Sequence, residues 1–133
     1  MDVCVIDTNI FLRLLLKDNV EQHNQVKRLF QRAKLGKIKI TIIQIVIFEV
    51  LFILDSYYNL SKSEIIQKLK IIVSTPYVEI EDRSTFIQAL KLYKSYTLSF
   101  VDCFLLAKAL EGEKRLMTFD KKLEKAYREL IEH

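Results

Sequence analysis

The apolar positions of this chain fall into short blocks that switch between two periods. Val3 to Ile6 is a short apolar run rich in β-branched residues, and it reads as a buried strand. Thr8 to Lys17 follows with helical spacing, with Asn9, Arg13 and Lys17 on one face and apolar residues on the others. Residues 21–35 repeat that period, with Val26, Leu29, Phe30 and Ala33 at core spacing and Gly36 placed to cap the end. Ile38 to Ile42 reads as a second strand. Gln44 to Tyr57 predicts a long buried helix, whose first residues would also suit a strand. Asn59 and Ser61 mark a turn, and Ser61 with Glu64 forms a capping box that opens a helix running to about Ser74.

Pro76 breaks the chain, and Tyr77 to Ile80 reads as a third strand. Helices are expected over 83–96 and Ser99 to Leu110, a fourth strand over Leu116 to Phe119, and a last helix over Lys121 to Ile131. Leu123, Ala126, Tyr127, Leu130 and Ile131 form the apolar stripe of that last helix. Strands alternating with helices predict βαβ units, a parallel sheet and the α/β class. No linker or repeat interrupts the pattern, so a single domain over residues 1–133 is expected. In a parallel sheet the ligand site lies outside the carboxyl ends of the strands.

Composition narrows this picture. Half of the 133 residues are hydrophobic, and only two glycines and one proline are present. Those figures exclude a disordered or collagen-like chain and disfavour a sandwich of many short strands, which needs many turn residues. The net charge of +4 is a mild excess that fits a phosphate-bearing partner without requiring one. Cys4 and Cys103 both sit in apolar runs without zinc-ligand spacing, so buried free thiols are expected. The longest apolar run, Ile42 to Leu54, is broken by Gln44 and Glu49 and is too short to cross a bilayer. Asp7 comes too early to leave room for a secretory leader, so a soluble cytoplasmic protein without membrane contact is expected.

Four acids need explaining. Asp7 directly follows the first strand and Asp120 the fourth, and at such junctions an Asp also serves as a helix N-cap. Asp102, three residues after Ser99, fits a capping box with Asp in place of Glu, and the helix dipole favours an anion there. Glu49 lies deep in the run Ile45 to Leu54, too far inside for a cap. In a core helix it would be a charge in apolar surroundings, which demands a salt bridge, a partly exposed edge or a metal ion. Converging carboxylates repel and need cations, and an oxygen-only donor set suits Mg²⁺ or Mn²⁺ rather than zinc.

These residues resemble a known family. Val5-Ile6-Asp7-Thr8-Asn9 resembles the opening motif of PIN-domain ribonucleases, and Phe48-Glu49-Val50-Leu51 its second acidic position. Phe100 to Ala107, around Asp102, resembles the third motif, and Leu116-Met117-Thr118-Phe119-Asp120-Lys121 the fourth. The resemblance spans essentially the whole chain in order. It implies a three-layer sandwich with a central parallel sheet of four to five strands flanked by helices. It also implies RNA phosphodiester hydrolysis with one or two Mg²⁺ or Mn²⁺ ions held by Asp7, Glu49, Asp102 and Asp120. Thr8, Asn9 and Thr118 stand beside those ligands, either to orient water or phosphate or to cap helices. Ser99-Phe100-Val101 brings no second acid before Asp102, so a five-carboxylate site is not expected.

In size the chain is similar to VapC-type toxins of toxin–antitoxin pairs, which implies an antitoxin partner and a homodimer. A housekeeping RNA-processing nuclease without antitoxin is the alternative. Arg13 and Lys17 are candidates to guide an RNA backbone, against the plain reading of solvated helix faces. A metal-free nuclease would need paired acid–base groups, and His23 and His133 are the only histidines. An aspartyl-nucleophile phosphatase is disfavoured because Asn9 stands where a second Asp belongs. A non-catalytic RNA-binding module is disfavoured by the presence of all four acids.

Overall fold

The computed structural model describes residues 1–132, and its contacts divide the chain into two compact units that meet at the bond between Glu81 and Asp82. The first unit contains β1 (Asp2–Val5), α1 (Thr8–Leu15), α2 (Val20–Lys34), β2 (Ile38–Ile42), α3 (Gln44–Ser56), α4 (Lys62–Val73) and β3 (Val78–Ile80). The second contains α5 (Arg83–Ser95), α6 (Phe100–Glu111) and α7 (Lys121–Ile131). The α/β class and the parallel sheet are those expected from the pattern. None of the helices is long and apolar enough to cross a membrane among the described residues.

In the first unit the strands lie parallel in the order β1-β2-β3, each successive pair joined through two helices. The register sets Cys4 beside Ile40 and Ile40 beside Val78. Side chains alternate across a strand, so Ile38, Ile40 and Ile42 share one face with Val78 and Ile80, and all five are buried. The other face carries the exposed pair Lys39 and Glu79, 2.6 Å apart, together with Val3 and Val5. The expectation of a fully buried first strand is corrected here: Val3 and Val5 are exposed, and Cys4 is only half-buried. An unbroken apolar run cannot tell a strand covered on both faces from one covered on one.

Helical side chains complete this core: Phe11 and Leu12 of α1, Phe30 of α2, Val50 and Leu54 of α3, and Ile65 and Leu69 of α4. Each large apolar side chain so buried contributes about 1.5–3 kcal/mol. Helix ends are closed by short-range chemistry. Gly36, at φ +75°, turns the chain after α2, where its N–H donates to Ala33 O and that of Lys37 to Arg32 O. Ser61 and Glu64 form the reciprocal capping box of α4. α3 has no side-chain cap of its own, and the Gln44 N–H instead donates to Glu81 Oε1 at 3.0 Å.

The sheet has three strands among the described residues rather than four or five, because Leu116–Phe119 joins no ladder. Met117 and Phe119 are exposed there. A strand is defined by its partner, and four residues of suitable type do not reveal whether a partner is reached.

The second unit is helical. Phe86 of α5 is fully buried, stacked on Phe100 at 6.1 Å and tilted against Phe104 at 4.8 Å, and Tyr93 meets Phe100 edge-on at 5.5 Å. Cys103, Leu106 and Ala107 extend this core, and α7 contributes Leu123 and Ala126. The buried Thr85 hydroxyl donates to Glu111 Oε2 at 2.5 Å. Asp82, in the left-handed region at φ 59°, pairs with Lys108 at 2.8 Å, and that hydrogen bond raises the lysine pKa.

Glu64 titrates below its free value of 4.5, first because the Ser61 backbone N–H donates to its carboxylate and second through the Ser61 hydroxyl. A lowered folded-state pKa adds stability above the unfolded value and loses it as pH falls through the folded one. Glu64→Gln should therefore flatten the fall of the urea midpoint on acidification below 4.5. Ser61→Ala should cost about 1 kcal/mol at neutral pH, read in the same melts.

Candidate active site

The four acids occupy helix starts and one helix face. Ile6, buried, ends the stretch after β1, and Asp7 then caps α1: its Oδ1 accepts from the Ile10 N–H at 2.9 Å. Thr8 is half-buried and Asn9 exposed in the first turn of that helix. Asp120 caps α7 in the same way, with Oδ1 accepting from the Leu123 N–H at 2.9 Å. Thr118 braces it, since the Asp120 N–H donates to Thr118 Oγ1 at 3.0 Å. Asp102 is the third residue of α6, half-buried, and its N–H donates to Oγ of the cap residue Ser99 at 3.1 Å. The cap reading and the position beside a strand or helix end are both true of Asp7 and Asp120, because capping engages one carboxylate oxygen and leaves the other.

Glu49 departs from expectation. It is exposed, not buried in the core. α3 directs Ile47, Val50, Leu51 and Leu54 inward and turns Ile45, Glu49 and Phe52 outward, so the apolar residues around Glu49 in sequence are partly surface residues. Ile45 and Phe52 are 69% and 66% exposed. The spacings i−4 and i+3 place them beside Glu49 on one helix face. Burial therefore imposes no counter-ion on Glu49, contrary to the expectation from its apolar neighbours in sequence. The salt-bridge alternative falls as well, because among the described residues Glu49 has no Lys or Arg partner. The same holds for Asp7, Asp102 and Asp120.

Two of these acids belong to each unit: Asp7 and Glu49 to the first, Asp102 and Asp120 to the second. In the first unit α1, which Asp7 caps, packs against α3, which carries Glu49. Among the described residues no three His, Cys, Asp or Glu side chains stand close enough together to hold a metal ion. The side chains of the four acids are of a type that suits a hard cation, offering carboxylate oxygens with no Lys or Arg paired to them among the described residues.

The candidate RNA contacts differ from each other. Lys17 is exposed. Arg13 is engaged in a polar tie, donating to Asp18 Oδ1 at 3.0 Å and to the Tyr58 hydroxyl at 3.2 Å, while that hydroxyl donates to Asp18 Oδ2 at 3.0 Å. Tyr58 first, and then Asp18, favour the charged guanidinium and raise its pKa. His23 Nδ1 lies 2.8 Å from Arg13 O, and His133 is outside the described residues. Sequence gave no sign of this tie, since Tyr58 lies far along the chain from Arg13 and reaches it only through the fold.

The chain belongs to the PIN domain family, whose family model matches residues 4–129 and so takes in both units and all four acids. No curated protein matches it. Among solved structures, the Mycobacterium tuberculosis toxin VapC20, described as cleaving the sarcin–ricin loop, is similar over 94% of this chain and 95% of its own. The two are 17% identical, with a TM-score of 0.44.

Cap and charge are separable at these positions because Asn caps about as well as Asp, whereas Ala does not. Asp7→Asn and Asp120→Asn should melt within a few tenths of a kcal/mol of the parent, and the two Ala variants about 1 kcal/mol lower. Thermal melts followed by circular dichroism decide this. Asn variants as unstable as the Ala variants would mean that the caps depend on the charge.

Proposed function

We propose that this protein is a divalent-metal-dependent endoribonuclease with Asp7, Glu49, Asp102 and Asp120 as its metal ligands. The observation that carries the reading is the PIN family match over residues 4–129, within which all four motif acids lie without a basic partner among the described residues. An unpaired carboxylate is available to a cation, whereas one neutralised by Lys or Arg would have to give that partner up first. Mg²⁺ or Mn²⁺ fits such hard oxygen donors, and one or two ions are compatible with four of them.

A bound ion supplies a water of lowered pKa and offsets charge on the phosphate undergoing attack. The chain's contribution is orientation. The Ile10 and Leu123 N–H groups fix one oxygen each of Asp7 and Asp120, so the second oxygen is presented without further ordering of the side chain. Thr118 anchors the backbone beneath Asp120, and Ser99 anchors that of Asp102. Thr8 and Asn9 stand next to Asp7 as supporting polar groups, and the exposed Lys17 can meet an RNA phosphate.

We further propose that the nuclease is the toxin of a type II toxin–antitoxin pair, acting as a homodimer in the cytoplasm. The order of the four motifs within the PIN match supports this VapC-type reading. A housekeeping nuclease would share the chemistry and lack the inhibitor.

Purified protein should cleave single-stranded RNA with Mg²⁺ or Mn²⁺ and stop when a chelator is added. Asp7→Asn and Glu49→Gln should each lower kcat about 100-fold or more, since a metal site is worth several kcal/mol in the transition state. Cleavage that survives both the chelator and Asp7→Asn would overturn the metal mechanism. Growth arrest on expression, relieved by the product of a neighbouring small reading frame, checks the toxin role.

A further inference from the structure

The helical unit holds a cavity of about 370 Å³ that the proposed chemistry does not use. It is lined by Ser95, Tyr96 and Thr97 from the end of α5 and the segment after it, and by Lys122, Lys125 and Glu129 from α7, over the apolar Leu98 and Ala126. We propose that this cavity seats one nucleotide unit of a single-stranded RNA, with its phosphate on Lys122 and Lys125 and its ribose 2′-hydroxyl on Glu129. The proposal rests on the ribonuclease reading and gives that site a substrate-binding neighbour.

The charge pattern carries the argument. Lys122 and Lys125 are three residues apart on one helix, which puts both ammonium groups on the same side. Lys125 and Glu129 are spaced i, i+4, the separation at which a helix ordinarily forms an ion pair. No such pair forms among the described residues, although Arg128 and Glu124 on the same helix do pair at 2.8 Å. Two lysines and a carboxylate thus remain open toward a cavity bordered by hydroxyl-bearing residues. Two cations suit a phosphate, and an acceptor-only carboxylate suits a donor hydroxyl that RNA has and DNA lacks. The apolar floor suits a sugar and base better than a bare inorganic anion. A volume near the lower end of small-ligand sites, about 300–1,000 Å³, matches a single nucleotide rather than a duplex.

Position strengthens it. Segment 95–98 leads straight into Ser99, the cap of the helix that carries Asp102, and Lys122 is the second residue after Asp120. A nucleotide held here is gripped by the two chain segments that present the second unit's acids.

The test is fluorescence anisotropy of a labelled single-stranded RNA, its DNA counterpart and its 2′-O-methyl form, all with chelator present so that nothing is cleaved. The full chain is compared with Lys122→Ala/Lys125→Ala and with Glu129→Ala, folding being checked by circular dichroism. The double variant should bind RNA about tenfold more weakly and lower the slope of log affinity against log salt by about 0.7, the value for one phosphate contact on a single strand. Glu129→Ala should bring RNA and DNA affinities roughly tenfold closer, as expected for one hydrogen bond to a charged group. Unchanged affinity and salt slope in the double variant would overturn the phosphate assignment. An unchanged RNA-to-DNA ratio in Glu129→Ala, or full competition by millimolar inorganic phosphate alone, would overturn the ribonucleotide assignment. Parent protein that cleaves RNA while the double variant binds like the parent would remove the cavity and keep the nuclease. Cavity-dependent binding without cleavage in any divalent ion would do the reverse.

Discussion

A helix begins with backbone N–H groups that have no partner inside it, and each must be met from outside. In this chain Asp7, Asn19, Ser61, Ser99 and Asp120 meet that requirement with their own side chains, and Glu81 meets it for α3 from a distant point of the same unit. The requirement determines where the polar chemistry stands. Two of the proposed ligands are themselves cap residues, and a third is held by a cap. Folding has already ordered these groups, so binding a cation costs little further side-chain entropy.

The surroundings of the acids serve the same end. Ile45 and Phe52 flank Glu49, and Leu105 lies beside Asp102 on α6, all of them exposed. Where a surface helix would ordinarily offer Lys or Arg at the i±3 and i±4 positions, these helices offer hydrocarbon. Ion pairs among the described residues form elsewhere, as at Lys39–Glu79, Lys108–Asp82, Arg13–Asp18 and Arg128–Glu124. A net positive chain thus keeps its four motif carboxylates unpaired among the described residues, although basic residues are in excess.

What sequence could disclose follows from the range of the forces involved. Helix ends were legible because capping acts within three to five residues, as at the start of α4, where Ser61 meets Glu64, and at the close of α2, where Gly36 stands. Helix α3 was legible from length and apolar content. Its orientation was not, because a helix apolar on nearly every side gives no period from which to tell Glu49 inward from Glu49 outward. Leu116–Phe119 failed for a related reason, since ladder pairing depends on a partner far along the chain. The four acids are legible by motif order, whereas burial does not single out Glu49, because it stands on the exposed face of α3. Arg13 was equally opaque, as its commitment to Tyr58 and Asp18 exists only in the fold.

The cap role of Asp7 and Asp120, set beside the ligand role proposed for them, has an evolutionary side. One nucleotide change converts an aspartate codon into an asparagine codon, and asparagine keeps the Ile10 or Leu123 N–H satisfied. A lineage can therefore lose the charge at either position while the chain still folds and passes cellular quality control. Under the proposed ligand role, copies that are inert yet intact are within one mutational step, and selection against them must act on chemistry alone, because stability offers it no handle.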